Sequence, residues 1–321
     1  MIKLKTKNNI KKASEIIKSG GLVAFPTETV YGLGANGFNP VAVAKIFEVK
    51  NRPSFNPLIM HIGRKTDLEK VTNCSEQKVL DLIEEFFPGP LTLVLPKKDE
   101  VPEIVTAGKS SVGVRMPANE IALEFIRETE TAIAAPSANL FGMLSPTTAE
   151  HVKKQLGDKV DFILDGGKSD VGLESTIVEF NNGEFFLLRY GGLPVEKIEN
   201  VIGSKLKLKI SESSPNSPGQ LKSHYAPRVP IKFIDETNLT QVNKNKTALM
   251  LFNNNRFGNN FAKVKILSPS GNLYEAAANL FAFLHELENS GVELILAEKP
   301  PLTGLGFAIL DRLTKAVNHY R

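Results

Sequence analysis

Residues 211–230 read SESSPNSPGQLKSHYAPRVP, with five serines, four prolines and one glycine in twenty positions. Proline fixes φ and lacks an amide hydrogen, so no helix or central strand can run through such a stretch. The 321-residue chain is therefore expected to fold as two bodies, about 1–210 and about 231–321, joined by an extended linker over 211–230.

Composition narrows the function classes. One cysteine, Cys74, excludes an internal disulfide framework and a cysteine-based zinc site, and suits a reducing compartment. No apolar run approaches the roughly 20 residues that span a bilayer. The basic start MIKLKTKNNIKKASEIIKSG has no apolar segment of signal-peptide length. The expectation is a cytoplasmic protein with no membrane partner. The net charge of +4 is spread along the chain, so no segment is basic enough to grip nucleic acid by charge alone.

The first body alternates short apolar runs with helical patterns. Helices are expected over Asn8–Ser19 (with Asn8 or Asn9 as cap), from Asn39-Pro40 to Val49, over Ser75–Phe87, and from Ser145-Pro146 to about Gln155. Strands are expected at Leu22–Phe25, Leu58–Ile62, Leu91–Leu95, Val112–Met116, Ala132–Ala135 and Phe162–Leu164. Thr176–Phe180 and Phe185–Arg189 read as a hairpin across Asn182-Gly183, and Lys205–Ile210 as a charged edge strand. The second body reads β-β-β-α-β-α, with one helix from Asn272 whose Leu273, Ala277, Leu280, Leu284 and Leu287 share a face. That pattern predicts a small layered α/β domain.

Gly32–Gly37 matches GxGxxG, but six residues separate it from the preceding strand and no acidic residue lies about 20 positions on. It is read as a glycine-rich turn, not a dinucleotide fingerprint. The segment Pro26–Gly32 brings Thr27, Glu28, Thr29 and Tyr31 to a strand end. That is either a polar ligand site or a capped turn, and spacing alone slightly favours the turn.

Lys50 and Arg52 could converge on one anion or simply favour a helix C-terminus. His61 in a strand is more often a satisfied structural residue. Arg115 in an apolar strand requires a fixed anion or an internal carboxylate. Ser137 and Asn139 follow a strand, Ser145 would cap a helix, and Arg189 precedes Tyr190 and paired glycines. Taken together, these residues describe one pocket with four cations (Lys50, Arg52, Arg115, Arg189), many hydroxyls and no carboxylate cluster. Such a pocket suits electrostatic handling of a nucleotide triphosphate.

The ordered series PTETVYGLG (26–34), KNRP (50–53), NPLIMH (56–61), PGPLT (88–92), GVRMP (113–117), PSAN (136–139), SPTTAEHV (145–152), ESTIV (174–178) and RYG (189–191) resembles the YrdC family. SPGQLKSHYAP (217–227) and the added domain resemble its long, two-domain form. The resemblance covers nearly the whole chain. It implies a twisted mixed sheet with a basic concave pocket, plus a smaller C-terminal Rossmann-like α/β domain.

It also implies synthesis of L-threonylcarbamoyl-AMP from L-threonine, bicarbonate and ATP with Mg²⁺, releasing pyrophosphate. The product would pass to a tRNA threonylcarbamoyl-transferase complex that modifies tRNAs reading ANN codons. Carried over by motif, Thr29, His61, Arg115, Ala135 and Ser175 would hold threonine. Arg52, Asn56, Ser111, Ser137, Ser145, Arg189 and Tyr225 would hold ATP, with Lys50 and Arg52 as the catalytic cations. The linker would act as a lid bearing Tyr225. Asn51, Phe141 and Tyr190 depart from the family pattern and are expected to change pocket shape locally. The competing reading is an RNA-binding module of the same fold without synthase activity, with weak RNA binding to its basic concave face.

Overall fold

The computed structural model describes residues 4–209, 224–258 and 260–320. The expected lid lies outside the described residues over 211–223, and its last residues, 224–230, are described.

The first part of the chain runs α1 (Leu4–Lys18), β1 (Val23–Phe25), β2 (Gly32–Asn36), α2 (Pro40–Lys50), β3 (Ile59–His61), α3 (Gln77–Phe86), β4 (Leu91–Pro96) and α4 (Glu103–Thr106). It continues with β5 (Ser111–Arg115), α5 (Glu120–Thr129), β6 (Ile133–Ala134), α6 (Ala149–Leu156), β7 (Phe162–Ile163), β8 (Thr176–Asn181), β9 (Glu184–Arg189), α7 (Val195–Ile202) and β10 (Lys207–Leu208). Its strands form one mixed sheet in the order β10-β9-β8-β4-β5-β3-β6-β2-β1-β7. The second part runs β11 (Ile231–Phe233), β12 (Thr247–Leu251), β13 (Lys263–Ile266), α8 (Leu273–Glu288), β14 (Leu294–Ala297) and α9 (Gly306–Asn318). Its sheet has the order β11-β14-β12-β13 and every pairing in it is parallel. This is the mixed sheet plus small Rossmann-like domain expected from the sequence.

Local chemistry explains most elements. Asn39 caps α2, its side chain accepting from the amides of Val41 and Ala42, with Pro40 in the first turn. Asn272 caps α8 in the same way, through Tyr274 and Glu275. The β8–β9 hairpin turns at Asn182 and Gly183, with φ of 50° and 79°, the left-handed pair that a tight hairpin needs. The Lys-bearing β10 is an edge strand, as expected.

Three expectations are corrected. Helix α1 starts at Leu4, not at Asn8, because the lysine-rich lead-in is itself a good helix former and Ile10, Ala13 and Ile17 give it a buried face. Two of the three glycines of GxGxxG are not in a turn: Gly32 and Gly34 stand in β2, antiparallel to β1, and only Gly37 turns the chain after it. A Cβ on Gly34 would come within 2.7 Å of Ile133 and 3.0 Å of Phe25, so close packing is what demands glycine there. Ser145 does not cap the next helix. Helix α6 begins at Ala149, and Thr148 caps it by accepting from the His151 amide at 3.2 Å.

The main core lies on one face of the large sheet, and a smaller one beneath α1 and α5 covers the other. The core of the second part does not end at its own sheet. Leu280, Phe281 and Leu284 of α8 cluster with Val30, Leu144, Leu173 and Tyr225, which flank the polar strand ends of the first part. Each such leucine contributes about 1.5–3 kcal/mol on burial. That apolar seam is what presses the second domain against the candidate site.

Candidate active site

The carboxyl-end loops of β1, β3, β5, β6 and β9 converge on a cleft of about 610 Å³. Thr29, His61, Arg115, Ala135 and Ser175 all line it. So do Lys50, Arg52, Ser137, Arg189 and Tyr225. Chain connectivity alone would leave these residues up to 196 positions apart along the sequence. The sheet order, which sets β3 between β5 and β6, is what gathers them.

Arg115 satisfies both of its sequence readings at once. Its Nη2 donates to Glu28 Oε1 at 2.6 Å, its Nη1 to Thr29 Oγ1 at 2.9 Å, and its Nε to the Gly89 carbonyl at 3.2 Å. The pair is almost out of water, with side-chain exposures of 5% and 9%. The second Glu28 oxygen is buried with no partner. His61 sits beside this pair, its ring edge-on to Phe25 at 5.9 Å between centroids. Burial, reinforced by the Arg115 charge, holds His61 down to about 3, so it is a neutral imidazole at ordinary pH.

The other cations form a second group. Lys50 is 1% exposed; its ammonium donates to the carbonyls of Ser137, at 2.6 Å, and Asn139. Arg52 donates to the carbonyls of Asn56 at 3.2 Å and Pro57 at 2.9 Å. Among the described residues no carboxylate forms an ion pair with either. Burial pushes both below their usual values, and like charge adds to it: Arg52 acts on Lys50, Arg189 on Arg52. Arg189 wraps the end of β8, donating to the Ser175 carbonyl and hydroxyl. A cleft that holds Lys50 and Arg52 buried with no carboxylate paired to either among the described residues suits a polyanion.

Three expected residues do not line the cleft. Asn56 is buried beneath it, and neither polar atom of its amide has a partner. Ser111 lines a smaller neighbouring hollow of about 260 Å³ that shares Ile59 with the main cleft. Ser145 is fully buried, with its hydroxyl donated to Glu174. Phe141, singled out as a departure from the family pattern, lines the cleft and meets His224 edge-on at 5.6 Å. Tyr190 does not line the cleft and stacks on Phe307 at 5.4 Å.

Glu28, singled out in the sequence at a strand end, supplies the internal carboxylate expected for Arg115. Other residues of the site were not foreseen. Glu174 pairs with Arg312. His224 lines the cleft with its Nδ1 buried and unpartnered. Arg312 reaches in from α9, and the signal that could have found it is an arginine on the face that carries Ile309, Leu313 and Ala316.

A mixed α/β sheet whose loops gather buried arginines, a lysine and hydroxyls, braced by a second small α/β domain, defines a two-domain protein with a basic cleft. Comparison with known proteins makes the class specific. The family model described as "Telomere recombination", covering Sua5, YciO and YrdC, matches residues 15–191, and that of the "Threonylcarbamoyl-AMP synthase, C-terminal domain" matches residues 193–317. The threonylcarbamoyl-AMP synthases of Pyrococcus abyssi and Bacillus subtilis are each 41% identical over 96% of this chain, and over 93% and 92% of their own lengths. The crystal structure of Pyrococcus abyssi Sua5 complexed with L-threonine superposes with a TM-score of 0.88 at 40% identity, covering 97% of this chain and 94% of that one. The chain belongs to the threonylcarbamoyl-AMP synthase family, in its two-domain Sua5 form, and is a transferase. Among the described residues no helix is long and apolar enough to cross a membrane.

Proposed function

We propose that this enzyme is an L-threonylcarbamoyladenylate synthase: L-threonine, bicarbonate and ATP give L-threonylcarbamoyl-AMP, pyrophosphate and water. The observation that carries this reading is the make-up of the cleft lining. Thr29, His61, Arg115, Ala135 and Ser175 bring hydroxyls, a neutral ring and one carboxylate-bound arginine, which would suit an amino acid. Lys50, Arg52 and Arg189 bring to the same cleft a concentration of charge that would suit a triphosphate. The L-threonine in the Pyrococcus abyssi relative supports the first assignment.

In this reading the threonine nitrogen attacks the bicarbonate carbon, a C–N bond forms, and water leaves, giving a carbamate. A carbamate oxygen then attacks the α-phosphorus in line, and the bond to the β-phosphate oxygen breaks to release pyrophosphate. The attacking group is already an anion, so no side-chain base is needed there. That agrees with Glu28 and Glu174 being tied to arginines. Arg115 would orient the threonine carboxylate, while Lys50, Arg52 and Arg189 would spread the charge that builds on the departing pyrophosphate.

Among the described residues no three His, Cys, Asp or Glu side chains converge on a point. Magnesium would enter as part of the substrate, held by the triphosphate. Tyr225 would close over the nucleotide as the end of a lid formed by residues 211–230. The product, a reactive mixed anhydride, would be consumed by a tRNA threonylcarbamoyl-transferase complex, and the enzyme would act in the cytoplasm.

The test is pyrophosphate release from ATP, Mg²⁺, L-threonine and bicarbonate, each omitted in turn. Release that requires both threonine and bicarbonate is expected. Release without threonine would refute the acceptor assignment. No release from folded protein, with salt-steep and threonine-independent binding of tRNA, would instead favour the RNA-binding reading.

A further inference from the structure

The second domain sends a buried arginine into the catalytic half, where it meets Glu174, the Tyr190 carbonyl and the Tyr225 ring. Arg312 of α9 is 1% exposed, the largest fully buried side chain among the described residues. Its Nε donates to Glu174 Oε2 at 2.8 Å and its Nη2 to the Tyr190 carbonyl at 2.9 Å. Its Nη1 donates to Asp311. Its guanidinium carbon lies 4.9 Å over the Tyr225 ring.

Three of these four contacts lead to a residue of the proposed ATP side. The other oxygen of Glu174 accepts from the Ser145 hydroxyl. Tyr190 directly follows Arg189. Tyr225 lines the cleft, and it sits at φ +63°, a left-handed conformation that is strained for a non-glycine residue unless its surroundings hold it. Here the surroundings are Arg312 on one face, Phe281 at 5.7 Å between centroids and His224 at 4.1 Å. A second contact from the same domain converges on Ser145: His285 Nε2 of α8 lies 3.2 Å from its carbonyl oxygen, while its Nδ1 faces Glu288. Ser145 is thus gripped at both of its polar ends by the second domain, directly at the carbonyl and through Glu174 at the hydroxyl.

We infer that Arg312 is a positioning residue for the nucleotide, setting Ser145, the Arg189–Tyr190 strand end and Tyr225 in register, so that the second domain is an integral part of the active site. The planar fork is essential to this role. One guanidinium serves three acceptors in its plane and an aromatic ring on its face, which an ammonium cannot do. Thr29, His61, Arg115 and Ala135 make no hydrogen bond to Arg312, and of the threonine-side residues Ser175 alone stands next to one of its partners, Glu174, so the larger effect falls on the nucleotide. The inference rests on the synthase reading for the identity of that substrate.

The decisive experiment is steady-state kinetics on full-length Arg312→Lys, with folding checked by circular dichroism and thermal melting. The expected result is a KM for ATP raised at least tenfold, with the KM for threonine within twofold of wild type. Unchanged KM values for both in a folded variant, or an equal rise in both, would overturn the inference. Should Arg312→Lys not fold, Glu174→Gln with Arg312→Met removes both buried charges together and carries the same comparison. If the wild type itself releases no pyrophosphate, the synthase reading fails by itself. Arg312 is then judged by calorimetric binding of ATP alone, where a loss of at least tenfold upholds its role and an unchanged affinity rejects it.

Discussion

Replacing Arg115 by methionine should destabilise the enzyme severely, and replacing Glu28 at the same time should restore much of the loss. The two side chains meet at 2.6 Å with exposures of 5% and 9%, so neither can turn to water when its partner is removed. At that separation the attraction is about 4 kcal/mol or more with an effective dielectric constant near 20. Breaking a buried pair from one side typically costs about 3–5 kcal/mol, because the charge left behind is uncompensated. Here the Glu28 carboxylate would be stranded with one oxygen already unpartnered. Replacing both members by apolar groups is often close to neutral. Arg115→Met should therefore lose about 3–5 kcal/mol, and Glu28→Leu with Arg115→Met should recover about half of that or more. The remainder reflects Thr29 and the Gly89 carbonyl, which lose a donor. Urea unfolding followed by far-ultraviolet circular dichroism reads both numbers. A single variant that loses under about 1 kcal/mol, or a double variant no more stable than the single, would refute the reasoning. Both variants should lack threonine-dependent pyrophosphate release, since stability returns without the carboxylate-binding fork.

Three further outcomes are expected. Tyr225→Ala should raise the KM for ATP about tenfold with the fold intact, since stacking of a base on an aromatic ring is worth about 1–3 kcal/mol; unchanged kinetics would remove Tyr225 from the nucleotide site. His61 is held at about 3 in the fold, by burial and then by Arg115, against about 6.5 in the unfolded chain. The unfolded chain therefore binds the extra proton between those values, so this contribution to stability is whole above pH 6.5 and is lost as pH falls towards 3. The urea midpoint should fall steadily over that window and fall less in His61→Gln; parallel profiles would count against it. Asn39→Ala should cost about 1 kcal/mol through loss of the α2 cap while leaving the KM values unchanged, and a shift in either KM would show that the Lys50 end of α2 feels its start.

Local rules carried far into this fold. Asn39-Pro40, Asn272 and Asn182-Gly183 each do in the structure what their chemistry dictates, because a cap or a tight turn is settled within about four residues. The order of three strands, a helix, a strand and a helix in the second part is also as expected, since each element has one apolar face of the right period. Helices α5 and α7 have no counterpart among the expected elements. Both are short, ten and eight residues, and their amphipathic pattern gains meaning only against the sheet that covers it.

The cleft itself was legible as a list of residues and not as a place. Polar side chains at the ends of apolar strands, and an arginine inside one, announce a buried polar site because such groups are costly to bury without a ligand or a partner. That Arg115 has both a partner, Glu28, and a place on the cleft wall depends on β5 lying beside β3 in the sheet. Glycine in β2 was misread as a turn residue, because the demand for it comes from Ile133 and Phe25, about 100 and 10 positions away along the chain. Ser145 was misread as a cap for a similar reason: its hydroxyl is claimed by Glu174, and through it by Arg312. The sequence by itself determined the caps of α2 and α8, the tight turn and the chemical character of the pocket, since propensity, capping and hydrophobic period act over a few residues. Only the tertiary structure decided which charges would be paired, which left facing the cleft, and that the second domain would brace Glu174 and Tyr225 of its wall with an arginine. Charge pairing depends on a few ångströms in space, and strand order brings together groups that the chain keeps far apart.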